Sequence, residues 1–94
     1  MARTRTKRDL VVEVARRTGL PQGDCKLAIE AFLDAMRDIL LMGERVEFRG
    51  FGVFQVKERA PKVARNPRTN EEIRLPRRKV IVFKPSRIVL EQLK

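Results

Sequence analysis

The amino-acid sequence predicts an α+β fold: two N-terminal helices, an antiparallel β-sheet with a long protruding β-ribbon arm, and a short C-terminal helix. Three observations predict it. Apolar residues recur at helical spacing as far as Met42. The spacing then changes to alternation from Val46 onward. The stretch 57–79 is too polar for a core, yet it keeps strand-like residues on both sides of a turn. With 94 residues the chain has room for a single domain, 1–94.

Residues 1–5 form a basic tail. Thr6 is placed to cap the first helix, and Asp9 three residues later approximates a capping box while favouring the positive helix end. Leu10, Val11, Val14, Ala15 and Thr18 share one stripe, Arg16 and Arg17 occupy the last turn, and Gly19 ends the helix. Pro21 suits the start of a second helix, since its missing N–H is not needed there.

This second helix spans about 22–42 and stops at Gly43. Lys26, Glu30, Asp34, Arg37 and Asp38 make one narrow polar stripe, and most other positions are apolar. A helix apolar over most of its circumference needs burial on more than one side. The chain's own sheet is one candidate cover. A second copy of the chain is the preferred one, which predicts a dimer.

Val46 and Phe48 alternate with Glu47 and Arg49 as a strand, and RGFGVF (49–54) supplies a tight connection to the next, with Phe54 and Val56 on one face. The segment 57–79 then reads as a two-stranded ribbon reaching into solvent, its halves marked by Val63 and by Ile73 with Leu75, its turn by Asn66-Pro67 and Thr69-Asn70. Val80 to Phe83 reads as a buried strand. Pro85-Ser86 opens a short terminal helix with Ile88, Val89 and Leu93.

Composition excludes whole classes of function. There is no His, Trp or Tyr, and a single cysteine, Cys25. The usual zinc ligand sets and Ser-His-Asp or Cys-His relays therefore cannot be assembled. No cofactor and no enzymatic activity are expected. No intrachain disulfide is possible, which suits a reducing compartment. The longest apolar run, ILLM at 39–42, is far too short for a bilayer, and no signal-peptide run follows the N-terminus. A cytoplasmic chain with no membrane partner is expected.

Charge points to a polyanion. Lys and Arg number 22 against 12 Asp and Glu, a net +10. From Lys57 to Lys84 there are ten bases and three acids, a net +7 of that total. An isolated two-stranded ribbon is marginal in water, and crowding like charges onto it makes it worse. Phosphates that neutralise the bases would complete it and release counterions. Arginines along a ribbon can follow a minor groove. Pro67 at the turn is rigid, apolar and without an N–H, so it can wedge into a base step and unstack it.

The order of motifs carries a resemblance. Two helices are followed by GFG-x-F (Gly50 to Phe54), K-E-R-A (Lys57 to Ala60), R-N-P-x-T (Arg65 to Thr69) and K-V-x-x-F-K-P (Lys79 to Pro85). From about Thr6 onward the chain closely resembles the bacterial HU/IHF family of DNA-bending, nucleoid-associated proteins. The resemblance implies an intertwined dimer whose two arms embrace double-stranded DNA. It implies that Pro67 intercalates, with Arg65, Asn66 and Arg68 beside it. Lys57, Arg59, Lys62, Arg74, Arg78 and Lys79 would line the arms and saddle, while Lys84, Arg87 and Lys7 meet phosphate nearer the body. Phe51, Phe54 and Phe83 match the family's aromatic core.

Some positions depart from the family pattern. Asn70 stands where Gly is usual, and Asn tolerates the left-handed conformation the turn needs. Val63-Ala64 replaces a glycine-containing pair, which predicts a stiffer arm. Ser86 for Gly and Leu90 for Lys remove a phosphate contact and weigh against the C-terminal helix. RAP at 59–61 and RRKV at 77–80 are similar to IHF-type chains. Sequence-specific and nonspecific binding both remain open, as do homodimer and heterodimer. An RNA-binding or ribosome-associated role is the alternative, but without Tyr or Trp a stacking platform for single-stranded bases is hard to build. A pure dimerisation module leaves the charged ribbon unexplained.

Overall fold

A computed structural model describes residues 2–94 as three helices and five strands, in two compact units divided between Asp38 and Ile39. The first unit holds helix α1 (Lys7–Thr18) and most of α2 (Gln22–Leu41). The capping box at the start of α1 is complete. The Thr6 hydroxyl accepts from the Asp9 N–H, and the Asp9 carboxylate accepts from the Thr6 N–H at 2.9 Å. That backbone bond holds the Asp9 carboxyl below its usual range. Asp thus serves where Glu or Gln is the commoner choice. Gly19 closes the helix at φ 76°. One turn earlier, Glu13 accepts two bonds of 2.7 Å from the Arg16 guanidinium, which lowers its carboxyl to about 2. Cys25 is buried, its thiol against the Leu20 carbonyl and the Thr18 hydroxyl.

Helix α2 ends one residue earlier than the sequence predicts. Gly43, at φ 82°, donates to the Leu40 carbonyl while Glu44 donates to that of Ile39, the paired bonds of a Schellman ending.

In the second unit, strands β1 (Val46–Phe48), β2 (Gly52–Arg59) and β5 (Arg78–Pro85) form an antiparallel sheet in the order β1-β2-β5. A separate two-stranded sheet holds β3 (Lys62–Arg65) and β4 (Glu72–Leu75). Strand β1 pairs only with Gly52, Val53 and Phe54, so from Gln55↔Val82 outward β2 and β5 run as a bare ribbon. The arm therefore begins two residues before the predicted Lys57. The β1–β2 connection turns at Gly50 (φ 82°), where Phe51 N–H donates to Phe48 C=O. Gly52 is required by contact: a Cβ there would lie 2.5 Å from the Lys84 carbonyl oxygen and 2.6 Å from the Phe83 ring. Phe48, Phe51, Phe54 and Phe83 make a chain of ring contacts with centroids 4.6–6.3 Å apart.

Helix α3 (Arg87–Gln92) does form, contrary to the weight given to Ser86. The Ser86 hydroxyl caps it by accepting from the Val89 N–H, so the substituted side chain supplies what glycine could not. A further difference concerns β5. Val80 to Phe83 was expected to be buried, yet Ile81 is 60% and Phe83 40% exposed. One chain lacks the material to cover that face. The same is true along α2, where Leu27 is 71% and Phe32 49% exposed. Among the described residues, the buried apolar side chains are Val11 and Cys25 in the first unit and Leu40 in the second.

Candidate nucleic-acid interface

Strand alternation sorts the arm into two unlike faces. The register Phe54↔Phe83, Val56↔Ile81 and Glu58↔Lys79 places the apolar side chains on one face, with an opposite-charge pair at its outer end. The register Val53↔Lys84, Lys57↔Val80 and Arg59↔Arg78 places the cations on the other. Arg59 and Arg78 stand directly opposite each other. Like charges in that position destabilise a sheet. Neither arginine has an ion-pair partner among the described residues. At this pair the electrostatics of the arm are unsatisfied.

The tip is ordered by its own polar groups. Asn66 N–H donates to Glu71 C=O at 2.9 Å, and Asn70 N–H donates to Asn66 C=O at 2.7 Å. The Asn66 side-chain oxygen accepts from Arg68 N–H at 2.9 Å, fixing the chain on both sides of the proline. Asn70 takes φ 61°, so it does the work expected of glycine at that position. Pro67 sits exposed in the turn while Asn66 before it is half-buried. Arg65 lies opposite Glu72 in the register, contacts its carboxylate at 3.5 Å and donates to the Asn70 side chain at 3.3 Å.

The sequence-predicted residues fall into groups. Lys57, Arg59, Arg78 and Lys84 share the cationic face of β2–β5. Lys79 lies on the opposite face, across from Glu58. Arg65 and Arg74 share one face of β3–β4 by register, and Lys62 lies on the other. Asn66, Pro67 and Arg68 form the turn. Arg87 opens α3, its guanidinium 3.2 Å from Glu91. Lys7 opens α1 in the other unit, where Glu30 holds its ammonium at 2.8 Å and has its own carboxyl lowered as a result. Glu72 and Asn70, which position Arg65, were not among the predicted site residues. The six-residue turn 66–71 is the signal that pairs 65 with 72. Arg77 was missed as well: it reaches Glu58 at 3.6 Å. Among the described residues no acidic or cysteine cluster has the makings of a metal site, and no helix is long and apolar enough to cross a membrane.

A ribbon with one cationic face and an exposed proline tip defines a class of protein that meets a polyanion through an arm. Residues 5–94 match the model of the family described as "Bacterial DNA-binding protein", and the chain belongs to that family. It is 36% identical over 91 residues to integration host factor subunit alpha of Ruegeria pomeroyi, covering 97% of this chain and 91% of that one. It is 39% identical over 88 residues to DNA-binding protein HU of Geobacillus stearothermophilus, covering 94% and 98%. In three dimensions it is similar to HU in an Anabaena HU–DNA cocrystal structure, with TM-score 0.86, 28% identity, and 95% and 97% of the two chains covered.

Proposed function

We propose that this chain is an architectural protein that binds duplex DNA along its arm and bends it. The observation that carries the reading is the cationic face of β2–β5, where Arg59 opposes Arg78 and neither has an ion-pair partner among the described residues. Phosphates on both sides of a minor groove supply the missing counter-charge. The cations position the arm without reading bases uniquely. Pro67, exposed and enclosed by the bonds that Asn66 accepts from Arg68 and Asn70, enters a base step and opens it. Unstacking costs about a few kcal/mol, offset by the contacts that bent DNA makes with the arm.

The functional unit is a dimer. The open apolar faces of α2 and β5 are too extensive for a chain that acts alone, and a second copy offers apolar faces of the same kind to cover them. Each chain contributes one domain, 1–94, with residues 1–5 as a basic tail. The role is binding rather than catalysis, and the place of action is the nucleoid, where the duplex is.

The test is a bending assay by energy transfer between fluorophores at the ends of a duplex, run across a salt series with linear, nicked and pre-bent DNA. The bend rises on binding, distorted DNA binds tighter, and affinity falls steeply with salt. Pro67→Ala lowers the bend more than the affinity. An unchanged bend in that variant rules out the wedge. A flat salt response rules out the phosphate-bound arm. Light scattering and the concentration dependence of unfolding test the dimer.

A further inference from the structure

The arm is interrupted midway. Strands β2 and β5 pair as far as Arg59↔Arg78, and β3 and β4 resume at Lys62↔Leu75. Two residues in each strand separate these pairs, Ala60-Pro61 on one side and Pro76-Arg77 on the other. The count is equal, so the register is unshifted and Pro61 falls opposite Pro76. Neither proline has an N–H to give a ladder, and no strand pairing spans the gap.

The gap holds a depression of about 370 Å³. It is lined by the apolar side chains of Ala60, Pro61, Leu75 and Pro76 and by the cations Arg59, Lys62 and Arg78. Both prolines and all three cations are exposed. This is a different chemistry from the tip, where one ring stands alone, and from the base of the arm, where valines and cations stand opposite each other with no proline among them.

We propose that the opposed Pro61 and Pro76 form a second, non-intercalating contact site that seats a sugar–phosphate segment of the duplex minor groove. The inference rests on the duplex binding proposed above. A deoxyribose presents apolar C–H edges to the groove, flanked by phosphates, which is the complement of a lining that combines apolar side chains with cations. Two rings without N–H groups can lie flush against sugars without desolvating an unpaired donor. The unpaired joint also lets the outer ribbon pivot on the inner one, so platform and tip can follow a curved groove together. At strand rise the platform lies roughly 20 Å back from Pro67.

Hydroxyl-radical footprinting reads this directly, because the radical attacks deoxyribose C–H bonds along the minor groove. The wild-type chain is expected to protect two separated zones per arm, one beside the kink and one inward of it. The double variant Pro61→Val, Pro76→Val restores two N–H groups and strand-forming side chains, and is expected to lose the inner zone while keeping the outer one. Pro67→Ala is expected to lose the kink and keep the inner zone. Amide exchange on the double variant reports whether the ladder has closed across the gap. A wild-type footprint with no inner zone overturns the platform without recourse to any variant, as does an inner zone that survives in the double variant. Absence of binding to any duplex overturns the DNA reading itself, and the platform with it.

Discussion

Replacing Arg59 and Arg78 together by Gln removes the pair of like charges that face each other across β2 and β5. The effects on the free and bound protein have opposite sign. In the free arm, directly opposed like charges are unfavourable by about 0.2–1 kcal/mol, so the variant's arm is slightly more stable. On duplex DNA, each cation that meets a phosphate adds about 0.9 to the slope of log affinity against log salt. Two cations therefore add about 1.8 per arm, and a dimer with two engaged arms doubles that. Between about 50 and 200 mM salt, the wild-type chain loses about tenfold more affinity per arm than the variant. Fluorescence anisotropy with a short labelled duplex measures both slopes. Amide exchange at residues 55–59 measures arm stability. An unchanged salt slope would refute the assignment of this face to phosphate. A variant that binds more weakly with a less stable arm would show that the arginines support the ribbon rather than the complex.

Three further outcomes follow from the geometry. Gly52→Ala forces a Cβ to within 2.5 Å of backbone and 2.6 Å of the Phe83 ring. It should lower stability by about 1–3 kcal/mol, readable by denaturant unfolding. Asn70→Ala keeps a side chain at φ 61° that tolerates it less, and removes one of the two Arg65 partners. It should raise amide exchange at the tip by an amount matching about 1 kcal/mol while leaving the helices unchanged. Acid should weaken α1 through Glu13. Its carboxyl is lowered in the folded state, so the contribution is present above the ordinary value of 4.5 and is lost as pH falls toward about 2. Thermal midpoints across that range should drop, and Glu13→Gln should flatten the drop.

Much of the unit-level structure was legible from residue order. Thr6 with Asp9, Gly19, Pro21 and Gly43 mark helix ends by rules that act within one turn, and each stands where expected apart from the one-residue shift after Leu41. The Asn66-Pro67 turn was legible for the same reason, since its hydrogen bonds close within six residues. What residue order did not show involved partners far along the chain. Lys7 was singled out as a basic position, and Glu30, 23 residues on, engages it. Lys79 was grouped with its neighbour Arg78, and alternation puts the two on opposite faces. Val80 to Phe83 looked buried because an apolar run carries no mark of whether its cover lies in the same chain.

The sequence by itself determined roughly where helices and strands lie, that most of the net positive charge sits on 57–84, and that a rigid ring occupies the turn. These depend on contacts between near neighbours and on composition. Tertiary structure alone decided which cations share a face, that Arg59 opposes Arg78, that Glu72 holds Arg65, and that the strand pairing stops on both sides of Pro61 and Pro76. Those facts depend on strand register. A shift of one residue would move every side chain to the other face, and only pairing across the whole ribbon sets it.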